Sequence, residues 1–225
     1  MTWGFAAGLA LPIIPNTALA AEKKEAEGKE PEVSPVEDLM REHGVLRRVL
    51  LIYEEALRRL DGAKDLPPKV IADSAGIIRR FVEDYHEKLL EEDELFPRFD
   101  KAGKHVDLVG VLFAQHQAGR RLTDIIIESS KSATPTNSET KQKLSQAIRE
   151  FIRMYRPHAA REDTVLFPAF RSIVSPKEYD ELGEKFEEKE EKLFGEGGFD
   201  KMVEEVAALE KTLGIYDLMQ FIPKA

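Results

Sequence analysis

Tyr155-Arg156-Pro157-His158-Ala159-Ala160-Arg161-Glu162-Asp163-Thr164-Val165-Leu166-Phe167-Pro168 is the stretch that decides the fold, because the chain writes it twice. The earlier copy is Tyr85-His86-Glu87-Lys88-Leu89-Leu90-Glu91-Glu92-Asp93-Glu94-Leu95-Phe96-Pro97. Each copy continues a run of apolar residues recurring in steps of three and four, the signature of an amphipathic helix. In each, a histidine takes a place on the apolar stripe and acids follow about one turn later. A helix buries that stripe against its neighbours. The imidazoles and carboxylates are therefore sent to the interior, where ionisable groups are costly unless paired or bound to metal.

Working outward, two more helices carry a histidine in the same way. The first begins at Ser34, a capping residue followed by Pro35 and Glu37. Its stripe reads Val36, Leu39, Met40, Leu46, Leu50, Tyr53, Leu57 and Leu60; His43 fills the one gap, and Asp61-Gly62 ends it. The second starts near Pro67-Pro68 and is expected to stop at Phe96-Pro97, since proline is poorly tolerated inside a helix. The third spans about Val106 to Ser130, with Leu108, Val111, Leu112, Leu122, Ile125 and Ile126 inward and His116 four residues after Leu112. His105 precedes that stripe and is assigned to the surface. A Ser/Thr/Pro-rich loop, Lys131 to Asn137, leads to the fourth helix, which runs from about Ser138 past His158.

The expected fold is all-α: an up-down antiparallel four-helix bundle over residues 34–171. Further helices over Pro176–Phe194 and Phe199–Leu213 form a C-terminal extension, 172–225, packed on the bundle, with the tail from Tyr216 docked on the body.

His158 and Glu162 are four apart, so one lies above the other on a helix. His86 and Glu91 are five apart, which swings the acid off the histidine's face unless a single-turn π-bulge absorbs the extra residue. Otherwise Glu87 or Glu92 takes its place. Aligning the two Leu-Phe-Pro endings selects Glu91 opposite Glu162, and Glu92 opposite Asp163. Candidate metal ligands are thus His43, His86, Glu91, His116, His158 and Glu162. Mixed imidazole and carboxylate donors in a bundle core suit iron or manganese, with zinc a further choice.

Composition narrows the field. Hydrophobic residues make up 42% and charged residues 33%, an ordinary globular balance, and the net charge of -9 with no basic run argues against nucleic acid as partner. The chain has no cysteine, which removes disulfides, iron–sulfur clusters and thiolate zinc sites together.

The N-terminal residues 1–20 carry no charged side chain, and Ala18-Leu19-Ala20 fits signal-peptidase cleavage before Ala21. The apolar run is too short, and too broken by Pro12 and Pro15, to be a stable membrane span. A periplasmic or exported protein is the expectation. No Lys or Arg precedes the run, so either the true start lies upstream or the segment is not a signal and the protein is cytoplasmic. Residues 21–33, charged and apolar-poor, read as a flexible linker.

Together, Leu39-Met40-Arg41-Glu42-His43-Gly44, the two Leu-Phe-Pro segments and Gln115-His116-Gln117-Ala118-Gly119-Arg120 resemble the hemerythrin family in its HHE cation-binding branch. The resemblance implies a non-haem di-iron centre with oxo or hydroxo and carboxylate bridges. His43 and His86 would bind one iron, His116 and His158 the other, and Glu91 and Glu162 would bridge them. Oxygen-carrying hemerythrins have a second histidine four residues after the ligand on the third helix; here that place is Arg120, which cannot ligate. One iron is then left with an open or carboxylate-filled position. Tyr85 and Tyr155, close to ligand positions, read as core packing, with donors to the ligands or ligands themselves as the alternatives.

The function expected is binding of O2 or another diatomic such as NO, for sensing, storage or detoxification. A di-iron redox enzyme (peroxide reduction or oxidase chemistry) is the alternative, followed by an iron-binding regulatory module whose folding follows metal occupancy and a helical interaction domain without metal. The redox partner is not readable.

Overall fold

The computed structural model describes residues 33–62, 64–131 and 138–223. The export signal read at 1–20, all but the last residue of the linker and most of the loop at 131–137 lie outside the described residues. Among the described residues there is no strand, and no helix is long and apolar enough to cross a membrane.

Helix α1 (Pro35–Asp61) starts where its capping sequence places it. Ser34 is extended, its hydroxyl accepts the Glu37 N–H at 3.3 Å, and Pro35 stands in the first turn where its missing N–H costs nothing. Gly62 closes the helix by donating its N–H to the Arg58 carbonyl at 3.1 Å.

The second helix does not stop at Phe96-Pro97. It continues through three consecutive stretches: α2 (Pro68–Ile77), a π-helical stretch π1 (Ile78–Leu95), and α3 (Phe96–Ala102). Pro97 is accommodated because it falls in the first turn of α3, just after the wide i→i+5 series ends with Phe96 N–H on the Glu91 carbonyl. The single-turn bulge expected between His86 and Glu91 is instead part of an 18-residue π-helical run. After α4 (Val106–Ser130), the fourth helix repeats the device: α5 (Ser138–Arg161), a short stretch π2 (Glu162–Leu166), then α6 (Phe167–Phe170). Phe167 N–H bonds to the Glu162 carbonyl, and Pro168 sits in the first turn of α6. Leu-Phe-Pro is thus the sequence of a π-to-α switch, and the last π bond each time ends on the carbonyl of a candidate ligand.

α1 packs on π1 and α5, α2 on α4, and α4 on α5, closing the four-helix bundle around Leu39, Val49, Ile52, Tyr53, Phe81 and Phe151, all fully buried. Burying a large apolar side chain of this kind contributes about 1.5–3 kcal/mol. On α4 the inward stripe is Val109, Leu112, His116, Gly119, Thr123 and Ile126. Val111, expected inward, is 56% exposed. The hydropathy reading missed the true stripe because Gly119 and Thr123 carry no apolar weight.

Two further helices, α7 (Pro176–Phe194) and α8 (Gly198–Leu213), lie against α1 and the second helix. Phe194 meets Phe81 and Tyr85 with ring centroids 5.6 and 5.4 Å apart. Arg48 grips Glu210 through both carboxylate oxygens, at 3.0 and 2.5 Å, and Glu94 holds Lys185 and Lys189. The tail is a correction: Leu218 is 78% exposed and Met219 69%, so it does not dock. Its turn, Leu218–Phe221, is held locally by Asp217 and Gln220 rather than by the core.

Candidate metal centre

His43, His86, Glu91, His116, His158 and Glu162 are each at most 3% exposed, and the bundle brings them together as two adjoining groups. One consists of His43, His86 and Glu91, the other of Glu91, His116, His158 and Glu162; within each, one donor atom per residue lies within 4.8 Å of all the others. Glu91 belongs to both. Its Oε1 lies 3.7 Å from His86 Nε2 and its Oε2 lies 3.2 Å from His116 Nε2. Glu162 turns its Oε2 to His43 Nε2 at 3.4 Å and to His158 Nε2 at 3.1 Å.

These inward atoms are unsatisfied. Both oxygens of Glu91, both of Glu162, and Nε2 of His86 and His116 are buried without a hydrogen-bond partner. Each buried polar atom left unpaired costs about 1–3 kcal/mol. Cations held between the two carboxylates and the four imidazoles would satisfy all of them at once, so the donor set fits a pair of metal ions.

The outward nitrogens, by contrast, are all engaged. Nδ1 of His43 meets Asp163 Oδ1 at 2.7 Å, that of His86 meets Glu42 Oε2 at 2.5 Å, that of His116 meets Glu92 Oε1 at 3.1 Å, and that of His158 meets Gln115 Oε1 at 3.0 Å. An acceptor on Nδ1 keeps the proton there and presents the Nε2 lone pair inward, the usual arrangement of metal-binding histidine.

The sequence repeat becomes a pseudo-symmetry of the site. After each carboxylate, the next acid and the Leu-Phe-Pro phenylalanine hold a histidine from another helix: Glu92 and Phe96 hold His116, Asp163 and Phe167 hold His43. The rings stack at 5.4 Å in both cases. Arg47 pairs with Asp163 as Arg120 pairs with Glu92, and each arginine lies four residues after its histidine. Glu42 and Gln115, each just before a histidine, accept from His86 and His158. The sequence reading placed Glu92, Asp163 and Arg120 near the site but gave none of them this role, though the shared Glu/Gln-His-x-x-x-Arg spacing on α1 and α4 was there to be read.

The rival acids have partners of their own, and Glu87 and Glu92 with His116 also offer one donor atom each within 4.8 Å of one another. Glu92 is the acceptor for His116 and Arg120. Glu87, fully buried, takes the Tyr155 hydroxyl at 2.7 Å and faces Arg120 at 3.3 Å. Tyr155 reaches it only because α4 has Gly119 at that point: a Cβ there would stand 2.0 Å from the tyrosine oxygen. Gly119→Ala is expected to destabilise the protein by about 1–3 kcal/mol through overpacking. Denaturant midpoints check this; an unchanged midpoint would mean that Tyr155 moves aside freely.

Electrostatics divide the two carboxylates. Burial and the neighbouring Glu162 and Glu87 push Glu91 well above the ordinary carboxylate range. Glu162 is held ionised, because His158 and His43 outweigh the effect of its burial. Burial alone would lower the His43 pKa, but the hydrogen bond with Asp163 and the negative charge of Glu162 raise it to about 9.

The Hemerythrin HHE cation binding domain profile matches the chain twice, over residues 34–124 and 107–214. This chain belongs to the hemerythrin family. The first match takes in both Glu/Gln-His-x-x-x-Arg segments and the first Leu-Phe-Pro; the second takes in Gln115 to Arg120 and the second Leu-Phe-Pro. Similar to this hemerythrin-family chain are an uncharacterised protein of Mycobacterium bovis and two of Mycobacterium tuberculosis. Each is 49% identical over 191 residues, covering 85% of this chain and 74% of the relative. No solved structure matches it significantly.

Proposed function

We propose that this hemerythrin-family protein holds two iron ions and binds O2 or another diatomic such as NO at them. The observation that carries the reading is the inward set of unsatisfied donors beside four imidazoles whose outer nitrogens are already occupied. His43 and His86 would hold one iron and His116 and His158 the other, with Glu91 and Glu162, each facing a histidine of both pairs, available to either. When bound, the iron pair supplies a centre that can be reduced and can take a small ligand. Around it, Asp163, Glu42, Glu92 and Gln115 fix the imidazole orientations, and Phe96 and Phe167 keep water from two of the rings.

A cleft of about 340 Å³ beside α3 and α4, lined by Glu92, Phe96, Pro97, Val109, Gly110 and Phe113, supports access by a small ligand. Two of its walls, Glu92 and Phe96, touch His116. A second reading, turnover of peroxide, is favoured by Arg120 and Tyr155. Tyr155 donates its hydroxyl to the buried Glu87 and Arg120 forms an ion pair with it, next to the centre.

The test is optical absorption of the iron-loaded, reduced protein on admitting O2 or NO and then sparging. A spectral change that reverses supports gas binding. Irreversible oxidation with catalytic loss of added peroxide transfers the assignment to an enzyme. Failure to take up iron or manganese defeats both readings.

A further inference from the structure

Asp38 and Glu42 on α1 and Glu190 on α7 form an acidic group outside the centre, with one carboxylate oxygen from each lying within 4.8 Å of the others. Asp38 is 8% and Glu42 1% exposed. Two observations beyond the acids themselves point to a ligand. Glu42 binds His86 with Oε2, while its Oε1 is buried and unpartnered. The Tyr85 hydroxyl, beside Glu42, is fully buried and makes no well-formed hydrogen bond.

Compensating charge is scarce. Arg41 approaches Asp38 at 3.6 Å, but it is drawn over the Phe199 ring, 4.3 Å from the centroid. Glu187 adds further negative charge nearby. One oxygen of Glu190 is already positioned, accepting the Phe199 N–H at 2.9 Å.

The pseudo-symmetry shows that the fold does not require these acids. In the other half, Gln115 stands where Glu42 does and orients His158 as an amide. Asp38 corresponds there to the exposed Val111. An acid at position 42 is therefore more than a histidine support.

We propose that Asp38, Glu42 and Glu190 form a third divalent-cation site, a staging post that passes metal by way of Glu42 to His86. Three carboxylates with no nitrogen donor suit a hard cation such as Mn2+ or Fe2+, with water completing its coordination. Glu42 is the hinge of the scheme: one oxygen faces the staging site and the other the imidazole of the centre. Binding at the staging site stands by itself, whereas the transfer role rests on reading the histidine cluster as a metal centre.

The experiment is Mn2+ titration of the metal-free full chain followed by electron paramagnetic resonance, with iron uptake timed by stopped-flow absorption. Asp38→Asn with Glu190→Gln leaves size and all six inner residues unchanged. It is expected to bind about one Mn2+ fewer per chain and to load iron about tenfold more slowly. His158→Ala with Glu162→Ala is expected to retain about one Mn2+, lost when Asp38→Asn is added. Equal stoichiometry and equal loading rates in native protein and the Asp38→Asn, Glu190→Gln variant would overturn the proposal, leaving the function of the centre untouched. Binding confined to the Asp38 site in native protein would sustain the site and defeat the di-iron reading instead. If the histidine variant does not fold, the comparison of native protein with Asp38→Asn alone decides the matter.

Discussion

Glu91→Gln is expected to empty the centre. The change keeps the size of the side chain but removes the carboxylate that faces His86 with one oxygen and His116 with the other. Iron content after loading should fall from about two per chain to below about one, read by elemental analysis, with the helical circular dichroism unchanged. The loss in affinity should exceed the roughly 10–100-fold carried by outer partners such as Asp163 or Glu92. Glu87→Gln is the control: its partners are Tyr155 and Arg120, so iron should remain. Equal iron content in native and Glu91→Gln proteins would move the shared ligand elsewhere.

Chelation is expected to have the largest effect on stability. Metal bound only by the folded state, at a free concentration about a thousand times its Kd, stabilises by about 4 kcal/mol. For a domain of this size that corresponds to a Tm lower by roughly 8–16 °C once the metal is removed. The sign should then reverse for Glu91→Gln. With metal supplied the variant is far less stable than the native protein, but with chelator present it is as stable or more so, since it no longer buries a carboxyl crowded by Glu162 and Glu87. Calorimetry of both proteins with and without chelator checks this. A native Tm indifferent to chelation would mean that the inward donors are satisfied by protons alone.

Much of this was legible in the chain. The bundle follows from stripes with steps of three and four and from the caps at Ser34 and Pro35, because those signals are local. The four histidines could be found because each fills a place on a stripe where an apolar residue belongs. The choice of Glu91 before Glu87 and Glu92 rested only on the repeated Leu-Phe-Pro, since the five-residue spacing from His86 defeats ordinary helical geometry.

What could not be read depends on partners remote in sequence. The extent of π1 is decided by the packing around it, not by the propensities of its residues. Asp163 and His43 come together from the fourth and first helices, 120 residues apart in the chain, and Gln115 finds His158 on a neighbouring helix. The stripe of α4 was misplaced at Val111 because its close contact is made through Gly119, where the absence of a side chain is the signal. The tail from Tyr216 looks adhesive by composition, yet the core at that end is already closed by α8.

The packing of α7 on the second helix changes what counts as the unit of this protein. By chain order the bundle is complete at Arg171, and everything later looks like an appendage that could be trimmed. Yet Phe194 covers Phe81 and Tyr85, and Lys185 and Lys189 neutralise Glu94 three residues beyond Glu91. Trimming would therefore leave a wet, charged flank directly behind the His86 side of the centre. The late helices serve as insulation for chemistry encoded a hundred residues earlier, and the family resemblance of the first half does not by itself define a portable module.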